Sequence, residues 1–329
     1  MKLPRRHFLH LAAGAAALPV VSRIALAQAY PVKPITINVP FAPGGPTDTV
    51  ARIISEGMRA SLGQPVIIEN TAGANGSIGV GRVARAAPDG YTLSIGHWNT
   101  HVTNGAVYPL QYDILNDFAP IMLLVSNPGM IVAKIAVPAN DLKSFIEWLK
   151  ANPDKASQAT AGVGSGGHIT GAYFQMVTGT RFQFIHYRGA APAMQDLLAG
   201  NVDLMIDNPI TSLPQVRSGK IKAFAITANR RLPAAAEVPT VDEAGLPGMY
   251  YSLWHGIWAP KGTSPDVIAR LNAAIAAVLA NDQVRARLSD IGQEVFPRDQ
   301  QTPNALATFH KAEIDKWWPI IKAAGIKAE

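Results

Sequence analysis

The sequence predicts an α/β protein of two lobes with a ligand cleft between them. Three observations predict it. Short extended apolar segments alternate with amphipathic helical ones along the chain, the pattern of βαβ units. Two longer apolar extended segments, residues 118–126 and 251–258, bracket a second run of that alternation. The length of 329 residues suits two domains of ordinary size.

The first unit reads as strand 35–40, amphipathic helix 47–61, strand 66–69, helix 77–86 and strand 92–95. The second begins near Met130: strand 131–135, helix 141–151, strand 156–161, helix 168–178, strand 182–187 and helix 191–199. Short strands follow at 204–206 and 221–227, then the bracketing strand 251–258. The chain closes with helices 265–280, 283–291 and 303–323. Ser264 followed by Pro265 is a helix start, an N-cap with proline at the first helical position. Such alternation predicts parallel sheets with helices on both faces. If both bracketing strands cross between lobes, residues 28–125 and 253–329 form lobe one, residues 126–252 form an inserted lobe two, and the crossings are the hinge.

The first 27 residues read as a signal peptide. Lys2, Arg5 and Arg6 precede an apolar run from Phe8 to about Val21, and Ala25-Leu26-Ala27 supplies a small-x-small cleavage site. Cleavage after Ala29 fits equally, and Arg5-Arg6 leaves a twin-arginine or a general export route open. The run is too short, and too broken by His10 and Pro19, for a membrane anchor. The expected location is the periplasm. Export also explains the charge. Of 29 Lys and Arg, four lie in the leader; the remaining 25 face 23 Asp and Glu, a net of +2. No basic stripe is left to follow a phosphate backbone, so a nucleic-acid partner is not expected. The chain has no cysteine, which excludes disulfides, thiolate metal sites and a Cys nucleophile.

The strongest local signal is one piece of chemistry written three times. Pro40-Phe41-Ala42-Pro43-Gly44-Gly45-Pro46-Thr47-Asp48, Asn70-Thr71-Ala72-Gly73-Ala74-Asn75-Gly76-Ser77-Ile78-Gly79 and Gly162-Val163-Gly164-Ser165-Gly166-Gly167-His168 each join a strand to a helix. A helix N-terminus carries unpaired N–H groups and a partial positive charge, and glycine lets that backbone approach a ligand. Two such loops in one lobe and one in the other suit a small anion held between lobes.

Other motifs fail on spacing. Gly162 to Gly167 matches G-x-G-x-x-G, yet no acidic residue occurs from Lys155 to Gln195, so no dinucleotide cofactor is expected. A nucleophile elbow at Ser165 lacks the glycine two positions before it, where Val163 stands. His97 and His101 fall in an expected polar loop with no accompanying carboxylates, so no metal is expected. Asp48 and Arg52, four apart on the first helix, read as a surface pair. Asp207-Asn208-Pro209 puts polar groups at a strand end, either facing the cleft or forming a turn.

The residues from Pro40 to Arg52 resemble the first-loop signature of the Bug family, the substrate-binding proteins of tripartite tricarboxylate transporters. Ala72 to Gly79, Pro88-Asp89-Gly90-Tyr91-Thr92-Leu93, Asp117-Phe118-Ala119-Pro120-Ile121, Tyr187 to Ala193, Leu198 to Asp203 and Val238 to Gly245 are similar to further blocks of that family. The resemblance covers essentially the whole chain after the leader. It implies a type II periplasmic-binding-protein fold, a small carboxylate ligand, membrane transporter subunits as partners, a monomer, and no catalysis. It also implies ligand contacts at Phe41, Ala42, Gly44, Gly45 and Asp48, at Asn75, Gly76 and Ser77, and at Gly164, Ser165, His168, Gly189, Ala190 and Asp207. His186-Tyr187-Arg188 and Thr71 depart from the family's usual residues, and Trp98-Asn99-Thr100-His101 is an uncommon third loop. Trp98 and Asn99 are therefore candidates for tuning ligand choice, with Trp98 either stacking on an aromatic acid or closing the pocket. Two rival readings are a secreted hydrolase using Ser165 and a sensor that presents its ligand to a receptor.

Overall fold

The computed structural model describes residues 30–187 and 189–327. The expected leader and both cleavage points lie outside the described residues.

Lobe one is a six-stranded sheet. β1 (Ile35–Val39), α1 (Pro46–Leu62), β2 (Val66–Asn70), α2 (Ser77–Ala84) and β3 (Thr92–His97) follow the expected alternation. A π-helical turn (Asn99–Thr103) and the short α3 (Asn104–Val107) lead to the long β4 (Phe118–Pro128), which leaves the lobe. The chain returns as β10 (Ser252–Pro260) and ends with α8 (Pro265–Leu279), α9 (Asp282–Asp290), β11 (Glu294–Val295) and α10 (Pro303–Ala323). The strand order is β11-β4-β10-β3-β1-β2.

Lobe two is a five-stranded sheet built from β5 (Met130–Lys134), α4 (Leu142–Ala151), β6 (Ser157–Thr160), α5 (Gly166–Thr178), β7 (Gln183–His186), α6 (Ala190–Ala199), β8 (Leu204–Asp207), α7 (Pro209–Arg217) and β9 (Ile221–Ile226). Its order is β7-β6-β8-β5-β9. The helix starts are those the sequence writes locally. Asp141 accepts from the Ser144 amide, Ser264 from Val267 and Thr302 from Ala305.

Both sheets are mixed rather than parallel. Strands joined through crossover helices run parallel, as β1 does with β2 and β3, and β6 with β7 and β8. The hinge breaks the rule. β10 returns antiparallel to the outgoing β4 along their whole lengths, Ser252 opposite Pro128 and Pro260 opposite Phe118. β5, delivered straight from that crossing, runs antiparallel to β8 and β9. A buried knot ties the crossing: Thr227 Oγ1 donates to the Tyr251 carbonyl at 2.6 Å, and the Gly129 amide donates to Thr227 Oγ1 at 2.8 Å.

Each sheet is covered on both faces, so a central strand such as β5 is apolar on both sides. On β5, Ile131 and Ala133 face one core with Phe145, Phe174 and Phe224, while Met130 and Val132 face another with Met194, Leu197 and Leu213. In lobe one, Ile35, Ile37 and Val39 meet α1 and α8 through Val50, Ile54, Leu271 and Ile275. The opposite face holds Trp98, Trp254, Trp258 and Trp317.

Gly79 shows what close packing demands. A Cβ there would lie 2.7 Å from Asn38 Oδ1 and 2.7 Å from the Thr71 carbonyl oxygen. The second glycine motif therefore serves in part to press α2 onto β1. Gly79→Ala is expected to cost about 1–3 kcal/mol of stability through overpacking. Urea unfolding checks it, and a loss below about 0.5 kcal/mol would contradict the tight contact.

Candidate ligand-binding cleft

The first glycine loop is held from within. The Asp48 carboxylate accepts from the Gly44 amide at 2.8 Å, from Arg52 Nε at 2.8 Å and from Asn70 Nδ2 at 2.9 Å. Its side chain is 3% exposed. These donors, Arg52 foremost, hold its carboxyl down at about 2. Two expectations are corrected here. Asp48 and Arg52 are not a surface pair, because Asn70 and the Gly44 amide close over the carboxylate. Asp48 offers no free oxygen pattern for a ligand, and Gly44 has already given its N–H to Asp48. Gly45 and the first turn of α1 are what the loop presents, with Ala42 exposed beside them. Phe41 stacks flat on His97, ring centroids 4.7 Å apart.

The second loop is braced against the residues after β3. Asn75 Nδ2 donates to Asn104 Oδ1, and Asn104 Nδ2 donates back to the Asn75 carbonyl, both at 2.9 Å. Gly76 has φ +87°, and a Cβ there would meet Thr100 Cγ2 at 2.6 Å. The Ser77 hydroxyl donates to the Ala74 carbonyl.

The segment after β3 is the largest departure from the sequence reading. The structure makes residues 99–107 helical, with 99–104 buried, not a polar loop. His101 stacks on Trp258 with centroids 3.9 Å apart, and its Nδ1 pairs with Thr100 Oγ1. Burial keeps His97 and His101 well below the usual imidazole range, so both are neutral core residues. Among the described residues, no group of three His, Asp or Glu could hold a metal ion. Trp98 is 0% exposed and packs edge-on against Tyr251 and Trp317, each at 5.1 Å. In this conformation it cannot stack on a ligand; it belongs to the core of lobe one. Asn99 does reach across, its Nδ2 donating to the Gly164 carbonyl of lobe two at 3.3 Å.

In lobe two, Ser165 caps α5 by accepting from the His168 amide, and His168 Nδ1 accepts from the Gly164 amide at 3.1 Å. That fixes the His168 proton on Nε2. Burial, with His186 beside it, pushes His168 down to about 4. Gly189, at φ 132°, precedes α6, which Ala190 begins. The structure thus brings the second loop, the turn after β3 and the third loop together, with Phe41 joined to them through His97.

A cavity of about 100 Å³ adjoins the third loop, lined by Ser165, Gly166, Gly167, Thr160, Asp207, Asn127 and Tyr251 among others. Of the sequence candidates, only Ser165 and Asp207 line it. Asp207 ends β8, takes a hydrogen bond from Thr211 Oγ1, and is pushed up to about 6 by burial. Asn208 does cap α7, a helix the sequence reading missed. Asn127 and Tyr251 were also missed. Their one visible signal is a polar residue placed before proline at the end of an apolar strand, and a tyrosine opening the return strand.

Residues 50–326 match the model of the tripartite tricarboxylate transporter family receptor. The chain is similar to the periplasmic binding protein BugD, at 40% identity and a TM-score of 0.77, covering 91% of this chain and 100% of that one. It is equally similar to MatC from Rhodopseudomonas palustris with bound malate, at 40% identity and TM-score 0.77, covering 89% and 100%. An R. palustris protein with adipate, Rpa4515, matches at 33% identity and TM-score 0.80, covering 91% and 100%. The two-lobed α/β fold is that of these binding proteins, and the chain belongs to the tripartite tricarboxylate transporter family receptors, the Bug-type periplasmic solute-binding proteins.

Proposed function

We propose that this protein captures a small carboxylate between its lobes in the periplasm and delivers it, as a monomer, to the membrane subunits of a tripartite tricarboxylate-type transporter. The observation that supports the reading is the contact of Asn99 with the Gly164 carbonyl, which links the turn after β3 in one lobe to the third glycine loop, before α5, in the other. On this reading the lobes are residues 28–125 with 253–329, and residues 126–252; the two sheets, linked through β4 and β10 among the described residues, support that division. A carboxylate that bridges them stabilises the closed form, which the transporter reads. The malate and adipate of the two R. palustris proteins support a carboxylate ligand for this chain.

Capture rather than catalysis fits the third loop. Ser165 Oγ serves as a helix cap, and His168 Nδ1 is occupied by the Gly164 amide, so neither forms a nucleophile–base pair with the other.

The test is a thermal-shift panel of aliphatic and aromatic carboxylates on protein recovered from the periplasm. Its mass should place the N-terminus at Gln28 or Tyr30. A ligand at 100 times its Kd adds about 2.7 kcal/mol and raises Tm. Small-angle scattering with that ligand should show compaction. No shift with any acid, or no compaction with a bound one, refutes the reading.

A further inference from the structure

Anchoring a carboxylate on helix starts needs only N–H donors. The cavity beside the third loop is equipped differently. Asn127, on β4 where it enters lobe two, is 1% exposed, and neither its Nδ2 nor its Oδ1 has a hydrogen-bond partner among the described residues. Buried amides are almost always paired, so this one is aimed at something that arrives. Asp207 lines the same cavity. Thr211 Oγ1 donates to its Oδ2, which leaves acceptor positions on a carboxylate that offers about four. The Tyr251 hydroxyl enters over the start of α5; a Cβ on Gly166 would lie 2.0 Å from it. Gly166 therefore keeps the phenol in the cavity.

A plain aliphatic acid gives Asp207 nothing to accept and adds a like charge nearby. A hydroxyl or ammonium on the ligand's chain supplies the missing donor, and the Asn127 carboxamide can both donate to it and accept from it. The volume of about 100 Å³ admits such a substituted carbon with ease. We propose that this cavity makes the protein selective for carboxylates bearing a hydrogen-bond donor, with Asp207 as the accepting group and Asn127 completing the contact. The inference rests on the carboxylate reading and deepens it.

Isothermal titration of the mature protein with matched acids tests it. The sets are succinate, malate and aspartate; glutarate, 2-hydroxyglutarate and glutamate; adipate and 2-hydroxyadipate; phenylacetate and mandelate. In whichever set binds, the donor-bearing acid should bind at least about tenfold tighter than the plain one. Preference for malate or 2-hydroxy acids identifies a hydroxyl ligand; preference for aspartate or glutamate identifies an ammonium. Asp207→Asn should narrow the ratio to about twofold, weakening the donor-bearing acid and strengthening the plain one. Asn127→Ser provides the same comparison should Asp207→Asn fail to fold. Equal binding of plain and substituted acids, or an unchanged ratio in the folded variants, overturns the inference while leaving carboxylate capture intact. Failure of every acid to bind overturns both.

Discussion

Trp98→Ala is expected to lower the unfolding free energy by about 3–5 kcal/mol, the cost of deleting a large aromatic side chain from a closed core. The ring is fully buried and meets Tyr251 of the return crossing and Trp317 of α10. Trp317 in turn meets Tyr173 on α5 of lobe two, with centroids 5.6 Å apart. Trp98 therefore joins the turn after β3 to the hinge, and through Trp317 to the second lobe. Trp98→Phe keeps much of the apolar volume and should cost about 1–2 kcal/mol. Urea unfolding at equilibrium measures both. A ring kept for stacking on a ligand would behave otherwise: stability would hardly move, and affinity for aromatic acids alone would fall.

Asp48→Ala should be the second large effect, and it should show in stability and binding together. Removing the carboxylate leaves the Gly44 amide, Arg52 and Asn70 without their shared acceptor. About 1–3 kcal/mol of stability is expected to go with it. The loop that presents Gly45 and the start of α1 then loosens, and ligand affinity should fall by about tenfold or more. The pH dependence separates this residue from the rest. Its folded pKa, about 2, lies below the ordinary 3.8, so its contribution is complete above about pH 4–5 and fades as pH falls towards 2. His168, His255 and His310, each pushed down to about 4 from 6.5, also cost stability as pH falls from about 6.5 towards 4, a window above that of Asp48, but they do so in both proteins. The difference between wild type and Asp48→Ala should therefore shrink only below about pH 4. A difference constant from pH 7 to pH 2.5 would mean that the charge of Asp48 does not hold the loop.

Much of the fold was legible because its signals are local. Ser264-Pro265 announces α8 within two residues, and the alternation from Ile35 to Ile95 follows apolar spacing alone. Where the reading failed, a distant partner outweighed the local pattern. Asn99-Thr100-His101-Val102-Thr103 is polar and β-branched and reads as a loop. It becomes a buried helical turn because Gly96 leaves room for the His101 ring, whose Nδ1 would lie 2.0 Å from a Cβ there, and Trp258 stacks on that ring. Asn208-Pro209 carries the same start signal as Ser264-Pro265, but Pro214 inside the following nine residues masks the helix.

By itself, the sequence determined the βαβ units, the two crossing strands, the three glycine-rich helix starts and the family. All of these depend on neighbours a few residues apart or on contiguous blocks of residues. Only the tertiary structure decided which groups of those helix starts are already taken by other residues. Asp48 takes the Gly44 amide with the help of Asn70, which the pairing of β1 with β2 brings alongside. Trp98 leaves the cleft because α10 and the returning β10 cover it, from more than a hundred residues away in sequence. Asn127, Tyr251 and Asp207 share a cavity because β4, paired with the returning β10, runs on into β5, whose Met130 stands opposite Asp207 of β8. Spacing along the chain fixes which groups can reach a site locally. Burial and hydrogen bonding across the fold determine which of them are left free to bind.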